Sequence, residues 1–139
     1  MSSYKDLSVY KLSFELYLKT HKITLDLPKF ELYELGSQLR RASDSVVTNI
    51  VEGYGRRVYK QEFIRFLIFS HASCQEMNCH ISKVLILYPM LNGGMKELEE
   101  KYNLLGGQIY NFIRYVDKNW KPGINQLSTV NRQQNISTP

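Results

Sequence analysis

Apolar residues recur every three or four positions along most of this chain, the spacing that places them on one face of an α-helix. No stretch competes with this pattern as a β-strand. The spacing predicts four helices, over residues 6–25, 31–52, 59–87 and 95–119. Four helices joined by short connections predict an all-α, up-down-up-down four-helix bundle.

Proline and glycine mark where the predicted helices end. Leu27-Pro28 ends the first helix, because proline disfavours helical backbone geometry in the residue before it. Gly53 and Gly55 are expected to break the second helix. Gly106-Gly107 lies inside the fourth helix and weakens that prediction, since each glycine costs about 1 kcal/mol relative to alanine in a helix interior.

The apolar spacing also assigns a core face to each helix. On the first helix this face comprises Leu7, Tyr10, Phe14, Tyr17, Leu18 and His21. The other three helices are expected to bury similar seams with three- and four-residue steps. Trp120 is expected to pack as a final anchor. The predicted bundle domain therefore covers 1–120, followed by a flexible polar tail over 121–139.

Apolar residues outside these seams predict a second burial surface. Val47 and Val51 lie well outside the core stripe of the second helix. On the third helix Ile64, Ile68 and Phe69 lie to either side of the seam, so its first turns are apolar almost all round. Two interpretations remain open: a wide core face within one bundle, or a subunit interface formed by these five residues in a homo-oligomer.

A polar strip runs beside the apolar seam of the second helix. It comprises Gln38, Arg41, Ser45, Asn49 and Glu52, at three- or four-residue steps. Arg41 is expected to pair with Glu52 or with a carboxylate of a neighbouring helix. The strip predicts either a buried polar network that fixes helix register or subunit orientation, or a ligand-reading surface.

Composition bounds the class of protein. The chain has 139 residues, 43% of them hydrophobic, which suffices for one domain with a core. Its formal net charge of +5 favours polyanionic partners, mildly. The N-terminus lacks the pattern of a secretion signal, and the most apolar run, Phe63–Phe69, is too short to span a bilayer. We therefore expect a cytoplasmic protein with no membrane partner.

Positive charge concentrates around the predicted corner between the second and third helices. The candidate nucleic-acid-binding residues are Arg40, Arg41, Arg56, Arg57, Lys60 and Arg65. Arginine's planar fork suits phosphate oxygens, and a helix N-terminus offers free N–H groups to an anion. Tyr54 and Tyr59 add surface for stacking an unpaired base. The alternative is a tight interhelical turn in which the arginines pair with Glu52, Glu62 and their neighbours.

No motif in the sequence indicates catalysis, a cofactor or a metal. His71, Cys74, Cys79 and His80 project in different directions from one helix, so they cannot close on a single ion. There is no phosphate loop, no nucleophile motif and no Glu-x-x-His repeat of the di-iron bundles. We therefore expect a non-enzymatic protein without a cofactor, whose two cysteines are reduced thiols.

Three motifs occur between residues 38 and 57: Gln38-Leu39-Arg40-Arg41-Ala42, Asn49-Ile50 and Glu52-Gly53-x-Gly55-Arg56-Arg57. They are accompanied by Tyr4-Lys5-Asp6-Leu7 with Val9-Tyr10, by Leu27-Pro28 and by Ser70–Glu76. Together these motifs resemble the bacterial four-helix bundle family that includes proteins encoded in intervening sequences of large-subunit ribosomal RNA genes. The resemblance covers about residues 4–120. It departs at Val58-Tyr59, where a hydroxyl residue often caps the third helix of that family.

The resemblance implies a ring-shaped homopentamer of four-helix bundles. Some relatives are accessory proteins of diversity-generating retroelements, in which a basic bundle pentamer associates with a reverse transcriptase and nucleic acid. Two functions are therefore expected. The first is a homo-oligomeric module that binds structured RNA or DNA through its basic surface. The second is a scaffold for a protein partner such as a reverse transcriptase, with no direct nucleic-acid role.

Overall fold

Four helices account for most of residues 3–121, the part of the chain that the computed structural model describes. They are α1 (Ser8–Ile23), α2 (Leu35–Gly55), α3 (Lys60–Leu87) and α4 (Asn92–Asn119). Helices α1 and α3 each pack against both α2 and α4, which closes the bundle. Residues 3–121 contain no strand. The predicted all-α four-helix bundle is confirmed, while the predicted tail lies almost wholly outside the described residues.

The helix ends differ from the prediction mainly at the first connection. α1 stops at Ile23, and short 3-10 turns at Thr24–Asp26 and Lys29–Tyr33 lead into α2. α2 therefore begins four residues later than predicted, since the segment after Pro28 forms the second of these turns. α3 begins one residue from its predicted start and ends where predicted. α4 continues through Gly106-Gly107 without interruption.

The expectation that glycines break the second helix was wrong. α2 continues through Gly53 to Gly55, and no glycine among residues 3–121 has a positive φ. Gly53 instead lies where α3 crosses very closely. A Cβ at this position would be 3.2 Å from both the Phe63 carbonyl oxygen and the Phe66 Cβ. Glycine at 53 thus allows α2 and α3 to pack this closely.

The buried residues of α3 and α4 follow the three- and four-residue steps that the sequence predicts. The buried hydrophobic residues of these two helices are Phe63, Leu67, Cys74, Met77, Ile81, Val84, Met95, Leu98, Tyr102, Leu105, Ile109 and Val116. Trp120 anchors the end of α4 as predicted. Its ring centroid lies 5.2 Å from that of Phe63, and its Nε1 donates a 2.9 Å hydrogen bond to the Arg57 carbonyl.

The predicted core face of α1 was wrong, apart from Leu7 just before the helix and Tyr10, which is half-buried and packs against the core. The buried residues of α1 are Val9, Ser13, Leu16 and Thr20. Both hydroxyl residues tolerate burial because they donate to backbone carbonyls of their own helix. The aromatic residues assigned to the core form a surface ladder instead, with centroids about 5–6 Å apart from Tyr10 to Phe14, Tyr17 and His21. Spacing alone cannot distinguish these two faces of one helix.

The residues predicted to form a subunit interface differ in exposure. Val47 is buried within its own chain, so its placement outside the core was wrong. Val51 and Ile64 are half-buried, and Ile64 packs against the core. Ile68 and Phe69 remain 50% and 41% exposed on α3. Surplus apolar surface is therefore present on α3, and little of it on α2. No helix within residues 3–121 combines the length and apolarity needed to cross a bilayer.

Candidate nucleic-acid interface

Most backbone N–H groups of the turn between α2 and α3 donate hydrogen bonds to carbonyls of the same segment. The N–H groups of Arg56, Arg57 and Tyr59 donate to the carbonyls of Gly53, Tyr54 and Arg56, at 3.0, 3.2 and 2.8 Å. No side chain caps the first turn of α3, which contains the carboxylate of Glu62. The N–H groups of the turn itself therefore do not converge on an anion as predicted, whereas the first-turn N–H groups of α3 have no side-chain cap.

Two arginines at this corner share one carboxylate and one aromatic ring. Glu62 accepts hydrogen bonds from Arg65 at 3.0 and 3.2 Å and from Arg56 Nη1 at 3.4 Å. The guanidinium carbons of Arg56 and Arg65 lie 4.7 and 4.9 Å from the Phe66 ring centroid. Glu52 adds a 3.7 Å ion pair to Arg56. The predicted pairing of the arginines with Glu52 and Glu62 is present, and Phe66 holds both guanidinium groups in place.

The charges of this cluster stabilise one another. The hydrogen bond from Arg65, followed by the positive charges of Arg65 and Arg56, lowers the pKa of Glu62. The same hydrogen bond and the charge of Glu62 raise the pKa of Arg65. All of these groups are exposed enough for water and salt to screen them. The ion pairs can therefore exchange for phosphate contacts at small cost.

Arg57 and Lys60 complete the corner without a carboxylate partner within residues 3–121. The guanidinium of Arg57 lies 4.2 Å from the Tyr54 ring centroid, and its Nη1 donates a 3.0 Å hydrogen bond to the Tyr54 carbonyl. Tyr54 is only 5% exposed, so the prediction that it offers a stacking surface was wrong. Tyr59 is 67% exposed and remains accessible for such stacking.

Arg40 and Arg41 lie away from the corner, contrary to the prediction. They precede Arg56 by 16 and 15 residues on the same helix, which corresponds to more than about 20 Å along its axis. Arg40 is half-buried and donates to Thr24 Oγ1 at 2.9 Å and to the Leu32 carbonyl at 2.6 Å. It therefore fastens α2 to the first connection. Arg41 is exposed and makes no ion pair with any residue in 3–121.

The polar strip of α2 forms a small network at its middle. Ser45 Oγ lies 2.8 Å from Ser73 Oγ of α3, and Asn49 Nδ2 donates to both the carbonyl and the hydroxyl of Ser45. This agrees with a network that fixes the register of α2 against α3. Glu52 pairs with Arg56, and the expected pairing of Arg41 with Glu52 was wrong.

Further cations reach the same end of the bundle from the chain termini. Lys5 precedes α1, while Lys118 and Lys121 lie at the end of α4, and all three are exposed. The Trp120 contact with Arg57 ties this end of α4 to the corner. Sequence reasoning missed these lysines, although an up-down topology brings the ends of α2 and α4 together. We call the following set the basic end: Lys5, Arg56, Arg57, Lys60, Arg65, Lys118 and Lys121.

The cysteines and histidines of α3 do not converge. Cys74 is buried and Cys79 is exposed, both as free thiols. Burial raises the pKa of the Cys74 thiol to about 12. Within the described part of the chain, no group of three or more His, Cys, Asp or Glu residues is arranged to hold a metal ion.

The fold and the charged surface define the class of the protein. It is a helical bundle in which, within residues 3–121, seven cations and four carboxylates (Asp6, Glu52, Glu62 and Asp117) lie around one end. A family model described as 23S rRNA-intervening sequence protein matches residues 5–111. The chain belongs to this family, which confirms the resemblance carried by the motifs of α2. A comparison with curated proteins gives no match.

Proposed function

We propose that this chain is a non-enzymatic, homo-oligomeric bundle that binds structured RNA or DNA through its basic end. The observation that supports this most is the excess of cations there, of which Arg57 and Lys60 have no carboxylate partner within residues 3–121. Such residues contact phosphates, so they position the protein on nucleic acid without specifying sequence. Family membership agrees with this proposal.

In this proposal Arg56 and Arg65 supply further contacts with phosphate groups. In the free protein they share Glu62, and Phe66 keeps both guanidinium groups ordered. An incoming phosphate competes with an exposed carboxylate whose ion pairs contribute little in water. The bidentate geometry of arginine then favours the phosphate oxygens.

The proposed assembly is a ring-shaped homopentamer. The exposed side chains of Ile68 and Phe69 support a subunit interface on α3, to which Val51 and Ile64 add half-buried surface. A ring repeats the basic end once per subunit, and such repetition raises avidity for an extended polyanion. A subunit with a modest net positive charge can then bind nucleic acid as part of the ring.

The first test removes charge from the unpaired part of the basic end. The triple variant Arg57→Gln, Lys60→Gln, Lys121→Gln should weaken binding to folded RNA and duplex DNA. The slope of log K against log salt should fall by about 0.9 for each lost phosphate contact to duplex DNA. The control is Arg41→Gln with Lys96→Gln, two exposed cations that lie away from the basic end. Unchanged affinity and slope in a folded triple variant would contradict the assignment.

Glu62→Gln tests the role of the paired arginines. It removes the carboxylate that Arg56 and Arg65 share, so Arg65 is released toward a phosphate and Arg56 keeps only its 3.7 Å ion pair with Glu52. Binding should tighten and its salt slope should steepen. If the arginines serve only the interhelical turn, the variant should lose thermal stability and gain no affinity.

A second candidate function is a protein-interaction scaffold, for a partner such as a reverse transcriptase. The pairing of Arg56 and Arg65 with Glu62 favours it, because these arginines are occupied without nucleic acid. In this case nucleic-acid affinity should vanish near physiological salt. Polar substitution of Val51, or removal of residues 122–139, should abolish a specific interaction with the purified partner.

A further inference from the structure

The end of the bundle opposite the basic end is built from two connections. One is the α1–α2 connection, residues 24–34, and the other comprises the last turn of α3 with residues 88–91. The Tyr88 hydroxyl donates a 2.6 Å hydrogen bond to Glu31 Oε2, which joins them. A crevice lined by Ile23, Leu27 and Met90 also spans both connections. The two connections therefore form one continuous surface.

Large apolar side chains protrude from this surface. Their exposed fractions range from 58% to 79%. We call this set the apolar end: Leu25, Phe30, Tyr33, Ile86, Leu87 and Met90. Aromatic side chains bury about 150–250 Å² each, so Phe30 and Tyr33 alone expose about 220–370 Å² at these fractions, and the four aliphatic side chains add to this area. A stable protein interface buries about 800 Å² on each partner, whereas a monomer's largest patch is commonly smaller.

The charges around the apolar end are of both signs. Lys22, Lys29 and Lys83 are exposed there, and so are Asp26 and Glu34. None of these five residues forms an ion pair within residues 3–121. A surface that carries free charges of both signs is complementary to a copy of itself across a two-fold axis, because the lysines of one copy can face the carboxylates of the other. The two carboxylates would find partners on such a copy and none on an anionic bilayer.

We infer that the apolar end docks onto the apolar end of a second copy of this chain, forming an end-to-end, two-fold pair. Phe30 and Tyr33 of one copy would pack against the same connections of the other, with the mixed charges forming the rim. The basic ends then point away from each other. If each copy belongs to a ring, two rings pair face to face. The inference does not rest on the proposed nucleic-acid binding.

The test measures assembly mass across a range of protein concentrations, by light scattering or sedimentation of the full-length chain. Phe30→Glu with Met90→Glu places one charge on each connection. A second variant, Tyr33→Glu with Ile86→Glu, tests the same surface independently. The matched control is Tyr59→Glu at the opposite end, whose side chain is 67% exposed against 68% for Phe30. Far-ultraviolet circular dichroism confirms that each variant is folded.

The wild-type assembly should have twice the mass of both apolar-end variants, and the control should match the wild type. This two-fold ratio holds whatever the number of subunits in a ring, so it is independent of the pentamer and of nucleic acid. Equal masses for wild type and variants at every concentration would overturn the inference. This holds whether or not the protein binds phosphatidylserine vesicles. Any ratio other than two would also overturn it.

Discussion

Replacing Gly53 with alanine tests how closely α2 and α3 are packed. The new Cβ would be 3.2 Å from the Phe63 carbonyl oxygen and the Phe66 Cβ, and 3.3 Å from Phe63 Cδ1. Two of these three atoms cannot move away by side-chain rotation. The helices must therefore separate by a few tenths of an ångström at their closest point.

Opposing terms set the size of the effect. Overpacking of this kind costs about 1–3 kcal/mol. Alanine regains up to about 1 kcal/mol of helix propensity, and less here because Gly53 lies near the end of α2. We expect Gly53→Ala to destabilise the protein by about 1–2 kcal/mol, which lowers Tm by several degrees.

Gly107→Ala is the matched control. No heavy atom lies within 4 Å of the position its Cβ would occupy, and the residue is in the interior of α4. The substitution should stabilise the protein by about 0.5–1 kcal/mol. Urea unfolding at one fixed protein concentration measures both variants, because the stability of a protein that self-associates depends on its concentration. A Gly53→Ala variant as stable as Gly107→Ala would refute the close-packing argument.

The remaining predictions concern buried groups. Because burial raises the pKa of the Cys74 thiol to about 12, only Cys79 should react with a chromogenic disulfide reagent at pH 8 in the folded protein, and both thiols after denaturation. Rapid reaction of two thiols in the folded state would contradict the burial of Cys74. Within residues 3–121, Tyr88→Phe leaves the buried Glu31 carboxylate with only the Leu35 N–H at 3.5 Å, so the free energy of unfolding should fall by about 1–3 kcal/mol. Glu31→Gln combined with Tyr88→Phe should be less destabilising than the sum of the two single changes.

The architecture was predictable because α3 and α4 each bury a single seam of consistent spacing. The core face of α1 was not predictable, because its aromatic residues and its Ser13–Thr20 face recur with the same helical period. Apolar character favoured the aromatics as core. The outcome depended on whether backbone carbonyls could satisfy Ser13 and Thr20, which a sequence does not show.

The basic corner shows a second limit of sequence reasoning. Arg40 and Arg56 belong to one charge-rich stretch of the sequence, yet Arg40 lies near the start of α2 and Arg56 just after its end, so the length of the helix separates them. Lys121 is remote in sequence and close in space, because Trp120 folds against Arg57. Charge clusters read along a chain therefore need the topology before they define a surface.

Binding of the wild-type protein to folded RNA and duplex DNA, measured from low to physiological salt, tests the central claim most directly. Engagement of phosphates by a repeated basic end predicts affinity that persists near 0.15 M salt, with log K falling steeply and linearly against log salt. Loss of all binding at that salt would contradict nucleic-acid binding by the basic end and leave its arginines as structural residues.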